Sequence, residues 1–99
     1  MSLRIQVNRE QIAEFCHRHH IRRFAFFGSV LRDDFRPDSD VDVLVEFESE
    51  YRLGFFELMR MQREFSELIG READFRTPED LGRYIRERVI SEAEVQYAA

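Results

Sequence analysis

Two strand-like apolar runs frame the middle of the chain. Ile21 to Phe27, IRRFAFF, reads as one strand that stops abruptly at Gly28. A second is expected over about Asp40 to Phe47. Successive side chains of a strand point to opposite faces, so Val41, Val43, Val45 and Phe47 share one face while Asp40, Asp42, Leu44 and Glu46 share the other. The apolar set should meet the core.

Helical spacing takes over on both sides. Asn8 stands as an N-cap with Gln11 at the third helical position, and Ile12, Phe15, Cys16 and His19 then recur at i, i+3, i+4 and i+7, which predicts a helix to about His19. From Leu53 to Ile69 a wide stripe of Phe55, Leu58, Met59, Phe65 and Ile69, with Phe56, Met61 and Leu68 beside it, predicts a longer helix ended by Gly70. Core packing is the expected use of that stripe, and its width leaves one edge for another protein. Arg71 to Phe75 reads as a short strand, and Thr77-Pro78-Glu79-Asp80 as the capped, acidic start of a last helix. Its apolar positions Leu81, Tyr84, Ile85, Val89 and Ala93 continue to near the end of the chain. Leu3 to Val7 alternates too, as a first strand or an ordered lead-in.

Composition narrows the possibilities. Ninety-nine residues make one domain, 1–99, with no room for a separate substrate-binding domain. A net charge of −5 argues against a general nucleic-acid binder or an anionic-membrane binder. All 15 cationic side chains are Arg, which excludes Schiff-base lysines and a P-loop lysine and leaves phosphate contacts to Arg, hydroxyls, backbone or metal. One cysteine forms no internal disulfide, and no apolar run approaches the ~20 residues of a membrane span, so a cytoplasmic protein is expected. Cys16, His17, His19 and His20 cluster, but they cannot converge from one regular helix without distortion, so we read them as a buried thiol and histidines favoured near a helix C-terminus by its dipole rather than as a metal site.

The chemistry concentrates between the two strands, in GSVLRDDFRPDSDVD, residues 28–42. A strand ending in Gly28-Ser29 and followed by a helical turn presents unpaired N–H groups that can receive a phosphate. The turn is expected to stop near Asp34, because Pro37 favours an extended Arg36. Asp40 and Asp42 project together at the mouth of the second strand, and the usual relief for such repelling carboxylates is a shared hard cation such as Mg²⁺. A phosphate cradle followed by a metal-binding pair suggests phosphoryl or nucleotidyl transfer. Two-metal chemistry needs a third carboxylate, and Asp74 on the next strand is the best placed, although read alone it is equally a charged edge-strand residue.

Gly28-Ser29, Arg32 and Ser39-Asp40-Val41-Asp42 resemble the GSxxR…SDxD signature of the polymerase β-type nucleotidyltransferase superfamily, and most of all its minimal members, the MNT proteins. The likeness runs from about residue 10 to residue 97 and includes the Arg-rich C-terminal helix. It implies an α/β (α+β) fold, a small mixed β-sheet flanked by helices. It also implies that Asp40, Asp42 and Asp74 ligate Mg²⁺, two ions in all, with Asp74 as third carboxylate and base. Gly28 and Ser29, with Ser39, would hold the triphosphate of ATP, and Arg32 would assist either the phosphates or the loop geometry. Some relatives carry Gly after the motif Arg, where this chain has Asp33 and an added negative charge near the phosphate path.

MNT proteins resemble the antitoxin halves of HEPN/MNT toxin–antitoxin modules, whose HEPN partners are helical ribonucleases. The resemblance therefore implies transfer of AMP to a hydroxyl, a tyrosine above all, of a HEPN-type toxin in a hetero-oligomer. Two other readings stay open at this level: an inactive MNT protein that neutralises its partner by direct binding, and nucleotidyl transfer to a small molecule.

Overall fold

The structure, a computed structural model, describes residues 5, 7–32 and 35–99. Most of the Leu3 to Val7 run and the Asp33-Asp34 pair, with the expected end of the turn and the charge beside Arg32, lie outside the described residues.

The first half follows the periodicity closely. Helix α1 (Arg9–Arg18) begins where Asn8 Oδ1 accepts the backbone N–H groups of Glu10 and Gln11 at 2.9 and 3.1 Å, satisfying two of the otherwise unpaired donors of a helix start. Strand β1 (Ile21–Phe27) runs straight into a 3₁₀ turn over Gly28–Leu31. Strand β2 (Val41–Phe47) pairs antiparallel with β1. Helix α2 (Phe55–Ile69) then crosses over to β3 (Ala73–Arg76), which lies parallel to β2. Gly70 caps α2 with φ +72°, a left-handed conformation that costs glycine nothing.

Helices α1 and α2 cover one face of the sheet. Phe15, Phe24, Phe26, Phe65 and Phe75 meet there as a ring cluster with centroids 5.0 to 6.4 Å apart, and Val41, Val43 and Val45 close the floor. The apolar face expected for β2 is thus the core face. Strand β3 would leave unpaired N–H groups along its outer edge, and α2 supplies their acceptors. Ser66 Oγ accepts from the Ala73 N–H at 2.9 Å and Gln62 Oε1 from the Phe75 N–H at 2.8 Å.

The C-terminal third departs from the sequence expectation. The single last helix is instead a 3₁₀ turn (Pro78–Asp80), a separate helix α3 (Arg83–Glu92) and a fourth strand, β4 (Glu94–Ala98). Asp80 accepts from both the backbone N–H and the hydroxyl of Thr77 at 3.1 Å and so closes the first turn on itself; Leu81 is then extended and buried, which breaks the helix. Strand β4 pairs antiparallel with the other side of β1, giving the order β3-β2-β1-β4. Pairing with β1 satisfies ladder groups that a longer exposed helix would leave without partners.

Two apolar assignments shift with it. No residue of α3 is buried, and Tyr84 is 94% exposed rather than part of a core. On α2 the buried positions are Met61 and Phe65, while Phe55 and Phe56 at its first turn stand in solvent. Among the described residues no helix is long and apolar enough to cross a membrane.

The Cys/His cluster disperses as expected. His19 Nε2 lies 3.2 Å from Glu64, His17 Nε2 lies 3.4 Å from the Tyr97 hydroxyl, and His20 stacks on the Tyr51 ring. Cys16 is buried beneath α1, and burial pushes its thiol pKa up to about 12. The native protein is therefore expected to leave a thiol reagent such as Ellman's reagent unreacted at pH 8, and to react in full once unfolded in guanidinium. Rapid native labelling would contradict a packed Cys16.

Candidate active site

Strand alternation sends Asp42, Asp74 and Arg76 away from the core, to the face of the sheet opposite α1 and α2. Asp42 and Asp74 are register partners across the parallel β2–β3 ladder, two positions before Leu44 opposite Arg76. Asp42 is also paired with Phe27 of β1, the residue before Gly28. Three chain segments thus meet at the N-terminal end of β2.

Gly28 is what lets them meet. Its φ of +76° is left-handed, and a Cβ placed there would overlap Asp42 Oδ2 and stand 3.3 Å from Asp42 Cγ. The Asp42 carboxylate occupies the space that any other residue's side chain would fill. In the turn that follows, the Ser29 carbonyl accepts the Arg32 N–H at 2.9 Å, which leaves Ser29 half-buried at the rim.

The electrostatics are those of crowded negative charge. Burial raises the Asp42 pKa, and the Asp74 carboxylate raises it further; Arg76 opposes this, Asp40 adds to it, and Arg32 opposes it again. Arg76 Nη2 and Nε lie 3.1 and 3.2 Å from Asp74 Oδ2, so Asp74 is held by a guanidinium on its own strand. Asp40 is exposed, just ahead of β2. Ser39 turns inward on its own loop, where its Oγ accepts the Arg36 N–H at 3.1 Å.

Among the described residues, no three His, Cys, Asp or Glu side chains are already gathered at metal-ligand spacing. Asp40, Asp42 and Asp74 are nonetheless hard oxygen donors, and Asp42 stays raised by burial and by the other two carboxylates although Arg76 and Arg32 oppose them, which is the donor chemistry of a divalent cation site. Beside them a cleft runs from Phe27, Gly28 and Arg32 to Ile85, Arg88, Val89 and Glu92 of α3, two arginines to one carboxylate, so the helix that the core does not need walls the site. A larger depression at the opposite end of β2 is rimmed by Glu46, Glu48, Glu79 and Asp80, a charge unsuited to phosphate.

The profile of the nucleotidyltransferase domain family matches residues 9–95. This chain belongs to that family and is a nucleotidyltransferase. It is 33% identical over 76 residues to a Methanocaldococcus jannaschii protein named as a candidate protein adenylyltransferase, covering 77% of this chain and 80% of that one. A solved structure described as a candidate minimal nucleotidyltransferase superposes with a TM-score of 0.71 at 35% identity, over 86% of this chain and 85% of the other. The mixed four-stranded sheet with three helices is thus the nucleotidyltransferase fold that the sequence resemblance implied.

More distant likenesses show that fold again. A toxin–antitoxin crystal structure with AMP-PNP matches at a TM-score of 0.76 and 13% identity, over 94% of this chain and 75% of the other. A complex of a tri-AMPylated Shewanella oneidensis HEPN toxin with its MNT antitoxin matches at 0.68 and 12% identity, over 92% and 70%.

Several residues that hold the strands and loop around these carboxylates were not singled out from the sequence. Arg76 was legible, since Asp74 and Arg76 stand two apart on a strand and must share a face. Gln62 and Ser66, polar residues four apart beside the apolar stripe of α2, carried a weaker signal. Arg71 carried none, because its partners lie on another segment of the chain.

Proposed function

We propose that this nucleotidyltransferase transfers AMP from ATP, in a Mg²⁺-dependent reaction, to a hydroxyl of a HEPN-type toxin, tyrosine being the expected acceptor, and so acts as an antitoxin. The observation that carries the reading is the placement of Asp42 and Asp74 side by side on the open face, with Gly28 leaving the space into which the Asp42 carboxylate fits. The name of the M. jannaschii relative supports protein adenylylation. The likeness to a toxin–antitoxin structure with AMP-PNP and to an AMPylated HEPN toxin complex supports the partner class.

In this reading Asp40, Asp42 and Asp74 hold the cation, which supplies charge neutralisation for the triphosphate and for the developing transition state. The turn of Gly28 and Ser29 receives phosphate oxygens through its backbone and hydroxyl, and Arg32 adds a cation beside it. The acceptor hydroxyl oxygen bonds to the α-phosphorus as the bond from that phosphorus to the bridging oxygen breaks, and pyrophosphate leaves with the electron pair. Asp74 takes the hydroxyl proton, with Arg76 orienting its carboxylate. The exposed Ile85 lines the cleft on α3 and, with the exposed Tyr84 beside it in sequence, gives a folded acceptor a surface to meet.

Incubation with the cognate HEPN-type protein, ATP and Mg²⁺ is expected to add the mass of one or more AMP groups to that partner, at tyrosine on peptide mapping. Binding without any mass shift would overturn the transfer reading and leave neutralisation by occlusion. Transfer to a small acceptor, detected with labelled ATP and a substrate panel while the partner stays unmodified, would overturn the partner assignment.

A further inference from the structure

The segment that delivers Asp40 to the site is held by a side chain outside the motif. Arg71 Nη2 lies 2.6 Å from the Arg36 carbonyl oxygen, 2.8 Å from that of Pro37 and 3.1 Å from that of Ser39. Its guanidinium carbon sits 4.3 Å from the centre of the Phe35 ring. The next residue joins in through its backbone, since the Glu72 carbonyl accepts the Val41 N–H at 2.9 Å. The turn is closed internally as well, by Ser39 N–H to the Arg36 carbonyl at 3.0 Å and Arg36 N–H to Ser39 Oγ at 3.1 Å.

Three carbonyl oxygens converging from one turn create negative potential beside Asp40 and Asp42, and a shared cation neutralises it. Arg71 is three residues ahead of Asp74, so one guanidinium ties the strand that carries Asp74 to the loop that carries Asp40. We infer that Arg71 is a positioning residue for the transfer reaction, fixing Asp40 relative to the Asp42–Asp74 pair by clamping residues 35–39. A lysine would keep the charge and reach some of the carbonyls, but it has no planar face to lay on Phe35.

The inference rests on the transferase reading for its kinetic consequences but not for its structural ones, and the experiment keeps the two apart. In Arg71→Ala, hydrogen exchange at the Ser39 and Val41 amides is expected to accelerate at least tenfold while the central amides of β2 stay as in the parent protein. Mn²⁺ binding, followed by electron paramagnetic resonance, is expected to weaken by about ten- to a hundredfold, the range typical of lost supporting interactions around a metal site. Turnover is expected to fall by about a hundredfold, the scale of an ångström-sized misplacement, with KM for ATP within about threefold. Arg71→Lys should recover part of each effect, which covers the case in which the alanine variant folds poorly. Unchanged exchange at Ser39 and Val41 together with unchanged Mn²⁺ affinity would overturn the clamp. A parent protein that shows the exchange pattern but transfers no nucleotide would instead sink the transferase reading and leave the clamp standing.

Discussion

Asp42→Asn is expected to reduce nucleotidyl transfer by about a thousandfold or more while raising the melting temperature of the metal-free protein at pH 7. The loss follows from removing a charged oxygen that a divalent cation needs, an effect of several kcal/mol at about 1.4 kcal/mol per factor of ten. The gain follows from the raised pKa of Asp42, caused by burial first and by Asp74 next. A folded-state pKa above the unfolded value, about 3.9 for Asp, means that the native chain holds this proton more tightly than the unfolded chain. The associated stability is complete below the unfolded value and is lost as pH rises through the folded one. Asn mimics the protonated form and keeps that stability at neutral pH.

The parent protein should recover the same ground by binding the cation. Mg²⁺ at ten times its dissociation constant contributes about 1.4 kcal/mol, several degrees of melting temperature for a domain of this size, and Asp42→Asn should not respond. Thermal melts of both proteins between pH 3 and pH 8, with EDTA and with Mg²⁺, check every part of this. A variant less stable than its parent in EDTA at pH 7 would show that Asp42 is relieved by its neighbours and not strained by them.

Gly28→Ala is the second large effect. The added methyl meets the Asp42 carboxylate and must be accommodated at φ +76°, which costs about 1–3 kcal/mol for a residue other than glycine. Transfer is expected to drop by about a hundredfold or more as Asp42 is pushed from its place, with a fall of several degrees in melting temperature. The distinguishing measurement is Mn²⁺ binding, which should weaken in Gly28→Ala and stay unchanged in Gly70→Ala. Gly70 also has positive φ, but nothing lies within 4 Å of the position its Cβ would take. Equal cation affinity in both variants would mean that Gly28 serves only the turn.

How much of this was written in the chain depends on the range of the interaction. The strand over Ile21–Phe27, the Asn8 cap, the Gly70 stop and the inward face of Val41, Val43 and Val45 were all legible, because each is a local period or a local hydrogen bond. The motif Gly28-Ser29, Arg32 and Ser39 to Asp42 was legible as a signature. The C-terminal third was not. The helical spacing of Leu81, Tyr84, Ile85, Val89 and Ala93 pointed to one amphipathic helix, yet none of the α3 positions is buried and the chain continues as β4. The pull on β4 is the unpaired side of β1, some seventy residues earlier, and no local pattern reports it.

The sequence by itself determined the inward face of Val41, Val43 and Val45, the approximate ends of the first two helices and the family signature, since neighbours along the chain settle these. Only the tertiary structure decided that Asp74 stands opposite Asp42, that the Asp42 carboxylate takes the empty side of Gly28, and that Arg71 holds the loop leading to Asp40. Each joins residues about fourteen to thirty-five positions apart, and their meeting is fixed by the parallel register that α2 imposes on β3, by the antiparallel pairing of β1 with β2 and by the packing of the loop against both.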